Sequence, residues 1–337
     1  AAGGPSPETL AFRALVEADG EWRLRESPEL ATYTGDRRYN DRLSDGSDAA
    51  LEARKAYARA LLARLDALDP RRLDEAERLN HALLRRETAI DVEGQRFPEE
   101  LMPLTQFGGP HTELASLAEA MPKDSARDYE DFLKRVAATP ARVEHAIARL
   151  RKGLAAGVTP PKVTLRTVGA QIKAQAPDDP RKSPVFLAAF EGAPASLPAA
   201  ERARLEAALA EALRTQAIPA YKRLAEFFAK EYEPGARASI SMAALPNGAA
   251  WYAYSAKQST TTDRPPEEIH QIGLAEVERI RAAMEAVKAQ AGFKGTLDEF
   301  KRHARTGAKF FFPDREAMLL AYRALGKRAD EALPKLF

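Results

Sequence analysis

Apolar residues recur at helical spacing along most of this chain, and the prolines that interrupt the pattern fall where a helix is expected to start, stop or bend. Ser6-Pro7-Glu8 precedes Leu10, Phe12, Leu15 and Val16. Ser47-Asp48 opens a stretch that runs to Leu68 and is stopped by Pro70. Leu73, Ala76, Leu79, Leu83 and Leu84 are spaced to give one apolar face on a third helix ending near Ile90. Three antiparallel helices are therefore expected to open the fold. Val92 to His111 mixes Gly, Pro and Phe around Gln106-Phe107-Gly108-Gly109-Pro110 and reads as a long ordered loop of the kind that lines clefts. Helices resume over 114–120, 125–138 and 140–156, with Ser125 and Asp128 as a capping box. Thr159-Pro160-Pro161 begins another, and the pattern over 198–231 is one of the longest, with a kink expected at Pro219.

From Ala238 the texture changes. Asn247-Gly248 supplies the positive φ angles of a tight turn, and Ala250-Trp251-Tyr252-Ala253-Tyr254 has the aromatic character of a strand, so a short β element is expected near 238–254. On a strand Tyr252 and Tyr254 face the same side. Thr260-Thr261-Thr262-Asp263 and Pro265-Pro266 then lead into a helix to about Ala291, and two more follow, 297–305 and from Asp314 on. The class predicted is mainly α: a large helical domain with one small β element, roughly two-thirds helix, about twice the globular average. A sub-boundary is expected near 233–240.

Composition removes several function classes. Lys and Arg total 51 against 49 Asp and Glu, a net charge of +2, so no basic excess points to nucleic acid. No run approaches the ~18 apolar residues of a membrane span. With no cysteine, disulfides, thiolate zinc sites and cysteine nucleophiles are excluded. The start Ala-Ala-Gly-Gly-Pro-Ser-Pro has the small, polar, helix-breaking character left after a signal peptide is removed, which is compatible with export. Leu333-Pro334-Lys335-Leu336-Phe337 closes the sequence on large apolar residues, which suggests docking or continuation into a longer chain.

Of five histidines, His81, His111, His145, His270 and His303, none lies in H-E-x-x-H, where two imidazoles share a helix face to grip zinc. Glu267 and His270 form one E-x-x-H. Di-metal bundles need two such motifs and two further Glu, so capping or packing is the plainer reading. Glu77 and His81, at i,i+4, read as a surface contact. No G-x-S-x-G, S-x-x-K or phosphate-cradling loop is present. Asn247, Gly248, Tyr252 and Tyr254, with His111 in its glycine-rich loop, are the candidate substrate-binding residues, because ring area and hydroxyls beside a turn can grip a ligand; half-buried core aromatics look the same.

The string LPNGAAWYAYSAKQSTTTDRPPEEIHQIGLAEVERI, Leu245 to Ile280, closely resembles bacterial domain-of-unknown-function family 885, in which an LPNG, a Tyr, a TTT-like run and an EEIHxxGLxEV string occur in this order. Further similarity runs through Ser27-Pro28 to Thr32 and Gly35, the Gln106 to His111 loop, the Thr139 to Gly157 helix and Lys335-Leu336-Phe337, so it spans essentially the whole chain. Members of that family are typically exported or lipid-anchored and longer, and a later segment carries an H-E-x-x-x-H-H-like string resembling gluzincin zinc sites. The resemblance implies that residues 1–337 are the N-terminal helical part of one larger domain in a zinc-dependent peptidase or amide hydrolase. Zinc then belongs to the C-terminal part, with no metal site or cofactor here, and the partners are that C-terminal part and a peptide substrate. It also implies a periplasmic or secreted location. In such an enzyme zinc polarises the scissile carbonyl and the motif Glu serves as base. This chain is then one wall of a helical cleft, contacting an extended peptide by strand addition at the Asn247 to Tyr254 element. The alternative is a stand-alone helical binding or scaffold protein without catalysis.

Overall fold

The computed structural model describes residues 4–191 and 197–336, so the start at Ala1 to Gly3 and the final Phe337 lie outside the described residues. The chain divides into two compact units, Ala1–Thr261 and Thr262–Phe337. The division falls downstream of the 233–240 stretch.

In the first unit, α1 (Pro7–Glu26) is capped by Ser6, whose hydroxyl accepts from the Thr9 amide and donates to the Arg72 carbonyl. A short α2 (Pro28–Tyr33) follows, then α3 (Asp48–Asp66) and α4 (Glu75–Gly94), which pack along one another. Phe12, Leu15, Leu61, Leu65 and Leu73 form their shared core. Here the structure departs from the expected stripe: Leu79 and Leu83 are exposed, and α4 turns inward the side of His81, Thr88 and Ile90. His81 is not a surface partner of Glu77. Its Nε2 meets the Leu65 carbonyl at 2.9 Å and its ring stands edge-on to Phe12, while Glu77 pairs with Arg13. A buried imidazole that satisfies a carbonyl costs little, so the helix rotates to bury it.

The main core is built on α5 (Pro110–Ala120), α6 (Ala126–Ala156), α7 (Val168–Ala174), α8 (Pro184–Phe190), α9 (Ala199–Ala212) and α10 (Ile218–Phe227). The two helices expected on either side of Pro140 are one 31-residue helix, α6, opened by the Ser125 and Asp128 capping box. Tyr129, Phe132, Val136, Val143, Ile147 and Leu150 form a single buried stripe through the proline. Burial along both halves outweighs the ~3 kcal/mol that an interior proline costs. Two π-turns, Leu213–Ala217 and Phe228–Tyr232, join α9, α10 and α11 (Glu233–Gly235) into one rod. In each, the next amide reaches back five residues, Ile218 to Leu213 and Glu233 to Phe228, and a proline, Pro219 or Pro234, follows at once. The amide that proline lacks thus falls where the register has already shifted.

The mainly helical class is what the structure has, but residues 248–260 are helix α12 (Gly248–Thr260) rather than strand. Asn247 adopts the left-handed conformation (φ 55°) that also serves a hairpin turn, but here it leads into a helix. Trp251 and Tyr254, three apart, then share one face against Phe97 and Ile90. In the described residues pairing is limited to two isolated bridges, Thr105 with Gly108 and Pro161 with Arg237.

In the second unit, α13 (Pro266–Gln290), α14 (Leu297–Thr306) and α15 (Arg315–Ala332) contain no buried residue. Val277, Ile280, Met284 and Val287 line one side of α13, and Met318, Tyr322 and Leu325 one side of α15, all more than a third exposed.

One buried cation fastens the front of the first unit to α6. Arg135 is fully buried; its Nε donates to the Arg42 carbonyl (2.9 Å), and its Nη2 to the Thr32 hydroxyl (2.7 Å) and the carbonyls of Pro28 (3.1 Å) and Tyr39 (3.2 Å). Arg135→Met keeps an unbranched apolar stem but removes the guanidinium that bonds these acceptors. The expected loss is about 2–4 kcal/mol in urea unfolding. A change below about 1 kcal/mol would show that apolar packing alone holds residues 28–42 in place.

Candidate functional site

A polar cleft of about 240 Å³ lies among α2, the first turns of α5 and the middle of α6. Arg142, His145 and Arg149, at i, i+3 and i+7, come from one face of α6, and Glu113 and Ser116 face them from α5. Tyr33, at the end of α2, and Gly46, just before α3, complete the wall. Two glycines shape it. A Cβ on Gly109, whose φ is +149°, would stand 2.6 Å from the Pro103 carbonyl oxygen. One on Gly46 would stand 3.0 Å from Nδ1 of His145 and 3.3 Å from Nη1 of Arg142, so the backbone there approaches two polar side chains directly.

Arg142 donates from Nε and Nη2 to the two oxygens of Glu113, both at 3.0 Å. Burial works against the Arg142 charge, and the paired hydrogen bond and charge of Glu113 outweigh it, raising the pKa. Arg149 lies the other way: burial pushes its pKa down, Asp48 partly offsets this, and the cations of Arg142 and Arg54 add to the depression. Its Nη2 donates to the carbonyls of Gly46 (2.8 Å) and Ser47 (3.3 Å). Its Nε is buried without a hydrogen bond, with Asp48 Oδ1 3.9 Å away. Arg142 and Glu113 cancel, so Arg149 leaves the wall one positive charge before the His145 imidazole is counted.

The expected residues do not all meet. Gly109 and Pro110 line this cleft, but His111 behind them is fully buried. Its Nε2 donates to Gln171 Oε1 (3.2 Å), and Gln171 Nε2 donates to the Gln106 carbonyl (3.1 Å), which ties the loop to α7. Phe107 at the loop tip is 91% exposed. Asn247 and Tyr252 are exposed, whereas Gly248 and Tyr254 are buried, so the two tyrosines point to different sides of α12. The Tyr254 hydroxyl donates to the Ile90 carbonyl, and a Cβ on Gly248 would meet the Met242 carbonyl oxygen at 2.1 Å. In the second unit Glu267 accepts from Gln271, and His270 is exposed. Sequence reading missed Arg142, His145 and Arg149; the seven-residue spacing of Arg135, Arg142 and Arg149 was the signal that could have found them.

These features define a helical scaffold with a polar, net-basic cleft in its first unit. The chain belongs to the bacterial family of unknown function DUF885, whose model matches residues 28–337. Among solved structures it is similar to the crystal structure of "the putative lipoprotein from Colwellia psychrerythraea", with a TM-score of 0.84 at 18% identity. The match covers 98% of this chain and 60% of that one, so the chain spans about three fifths of the relative's length. At that identity the likeness establishes the fold. No curated protein matches the sequence.

Burial lowers the pKa of His111 from the usual 6.5, with the Gln171 hydrogen bond acting the other way, because a proton on Nδ1 would find no partner. Below pH 6.5 the unfolded chain therefore binds a proton that the folded chain refuses. Stability should fall as pH drops through that value, by at most about 1.4 kcal/mol per pH unit for this group. Urea midpoints of the natural protein and of His111→Gln between neutral and mildly acidic pH check this: the dependence should be shallower in the variant, and parallel curves would refute the assignment.

Proposed function

We propose that this chain is the non-catalytic N-terminal portion of an exported, zinc-dependent peptidase or amide hydrolase, working in the periplasm or secreted, and that it forms one wall of the substrate cleft. The carrying observation is the second unit: three helices over residues 266–332 with apolar side chains at helical spacing and not one of them buried. Uncovered apolar area costs roughly 25 cal/mol per Å², so faces of this extent belong against another surface. The chain's own C-terminal part is the cover this reading assigns, supported by a solved relative that extends well beyond the portion matched here. Export is supported by the lipoprotein description of that relative; among the described residues no helix is long and apolar enough to cross a membrane.

The described residues do not fit a zinc site: no group of three or more His, Cys, Asp or Glu among them could hold a metal ion. In this reading zinc is held by the later segment, and this portion shapes the cleft. Asn247 and Tyr252 are exposed for contact with a peptide, and Gly248, Tyr254 and His111 hold the wall in place. The alternative, a helical binding protein without catalysis, draws its support from the polar cleft, which the first unit builds entirely from its own residues.

The test expresses the complete natural reading frame beside residues 1–337. The longer protein should carry about one zinc per chain by elemental analysis and cleave a peptide library in a chelator-sensitive way. Residues 1–337 alone should do neither and should bind an apolar dye strongly. A complete protein with neither metal nor hydrolysis would overturn the hydrolase reading in favour of the binding protein.

A further inference from the structure

The cleft of the first unit has more built into it than a crevice between helices needs. Three arginines stand seven apart on α6, and the outermost at the N-terminal end, Arg135, spends its Nε and Nη2 on backbone and hydroxyl acceptors away from the cleft. Arg142 engages Glu113 with two nitrogens, and its third, Nη1, is directed toward Gly46. Nδ1 of His145 is directed to the same point, since one methyl group built on Gly46 would lie within 3.3 Å of both atoms. Arg149 lines the same cleft, its Nη2 donating to the Gly46 carbonyl. The first turn of α5, whose Gly109 N-cap provides no side-chain acceptor, adds the positive end of a helix and the Thr112 hydroxyl to the wall.

The nearby carboxylates do not neutralise this arrangement. Both oxygens of Glu113 are held by Arg142, Asp48 is paired with Lys152 and lies 3.9 Å from Arg149, and Asp45, which accepts from the Ser47 amide, is balanced by the nearby Arg54 cation. A cleft of about 240 Å³ lies just below the ~300–1,000 Å³ of pockets for drug-sized ligands, which limits the occupant to a molecule the size of an amino acid or small acid.

We propose that this cleft binds a small carboxylate, its oxygens received by Arg142 Nη1, His145 and Arg149 in front of Gly46. A carboxylate fits better than a phosphate because the wall offers one net positive charge and a planar guanidinium edge, which match a planar monoanionic group. The carboxylate can come from a free organic acid or from the C-terminus of a peptide. The assignment stands whether or not the complete protein hydrolyses anything.

Calorimetric titration of the protein with succinate, with a free-acid dipeptide, with the same dipeptide as its C-terminal amide, and with inorganic phosphate tests it. Saturable binding of succinate, of the free-acid dipeptide, or of both supports the proposal, and the pattern identifies the source; the amide should not bind. His145→Gln and Gly46→Ala, the latter placing a methyl group where the donors converge, should each weaken binding roughly tenfold or more, with urea midpoints establishing that both variants fold. No saturable carboxylate binding up to about 10 mM, phosphate binding in place of carboxylate, or unchanged affinity in both folded variants would overturn it.

Discussion

The front unit depends on the way α6 uses its two sides. One side is an apolar stripe buried against α9 and α10; the other carries Arg135, Arg142 and Arg149 at seven-residue intervals, which drift by only about 20° per step and so stay on one face. Each guanidinium fastens something different: Arg135 the segment from Pro28 to Arg42, Arg142 the first turn of α5 through Glu113, and Arg149 the backbone just before α3. Burying a guanidinium is costly, and it is tolerated here because backbone carbonyls and, for Arg142, a carboxylate supply acceptors around its fork. The irregular stretch between α2 and α3, with little regular structure of its own, is positioned by these bonds.

The cleft follows from the same ladder. Fixing Gly46 against Arg149 and Glu113 against Arg142 leaves the space between them lined by the remaining nitrogens of the two arginines and by His145. The same residues therefore serve as fasteners and as binding groups, and the charged side of the cleft comes from one regular helix, α6. That is the arrangement that keeps binding geometry fixed.

Much of the architecture was legible because it rests on local rules. Ser6, Ser47 and Ser125 cap the helices they were expected to cap, and the 266–290 helix begins at the proline signal that announces it. What was illegible required knowledge of neighbours. Pro140 reads as a boundary until the stripe from Tyr129 to Leu150 is known to be buried continuously. Asn247-Gly248 supplies a positive φ in either a hairpin or a helix start, and only the fit of Trp251 and Tyr254 against Phe97 and Ile90 selects the helix. The candidate residues separated for the same reason: their side-chain directions follow the helix, which turns Tyr254 inward and Tyr252 outward. The arginine face escaped notice because charged residues at helical spacing read as a solvated surface, and only burial distinguishes fasteners from decoration.

The two units differ in how they meet the entropy of ordering. The first contains three clusters of buried apolar side chains, the largest joining six helices, which is enough apolar area to hold a chain of this size together. The second has helix caps, such as the Thr296 and Glu299 box, and surface pairs such as Arg279 with Glu276, each worth a few tenths to one kcal/mol. Fixing a residue's backbone costs about 1–2 kcal/mol, so caps and surface pairs cannot order some seventy residues by themselves. Beside the ring contacts of Phe293, Phe300, His303 and Phe310, the apolar sides of α13 and α15 are a large reservoir among the described residues, and they contribute when covered. The exposed apolar face of α13, with Val277, Ile280, Met284 and Val287 at three- and four-residue spacing, is thus where this unit has apolar area still to bury.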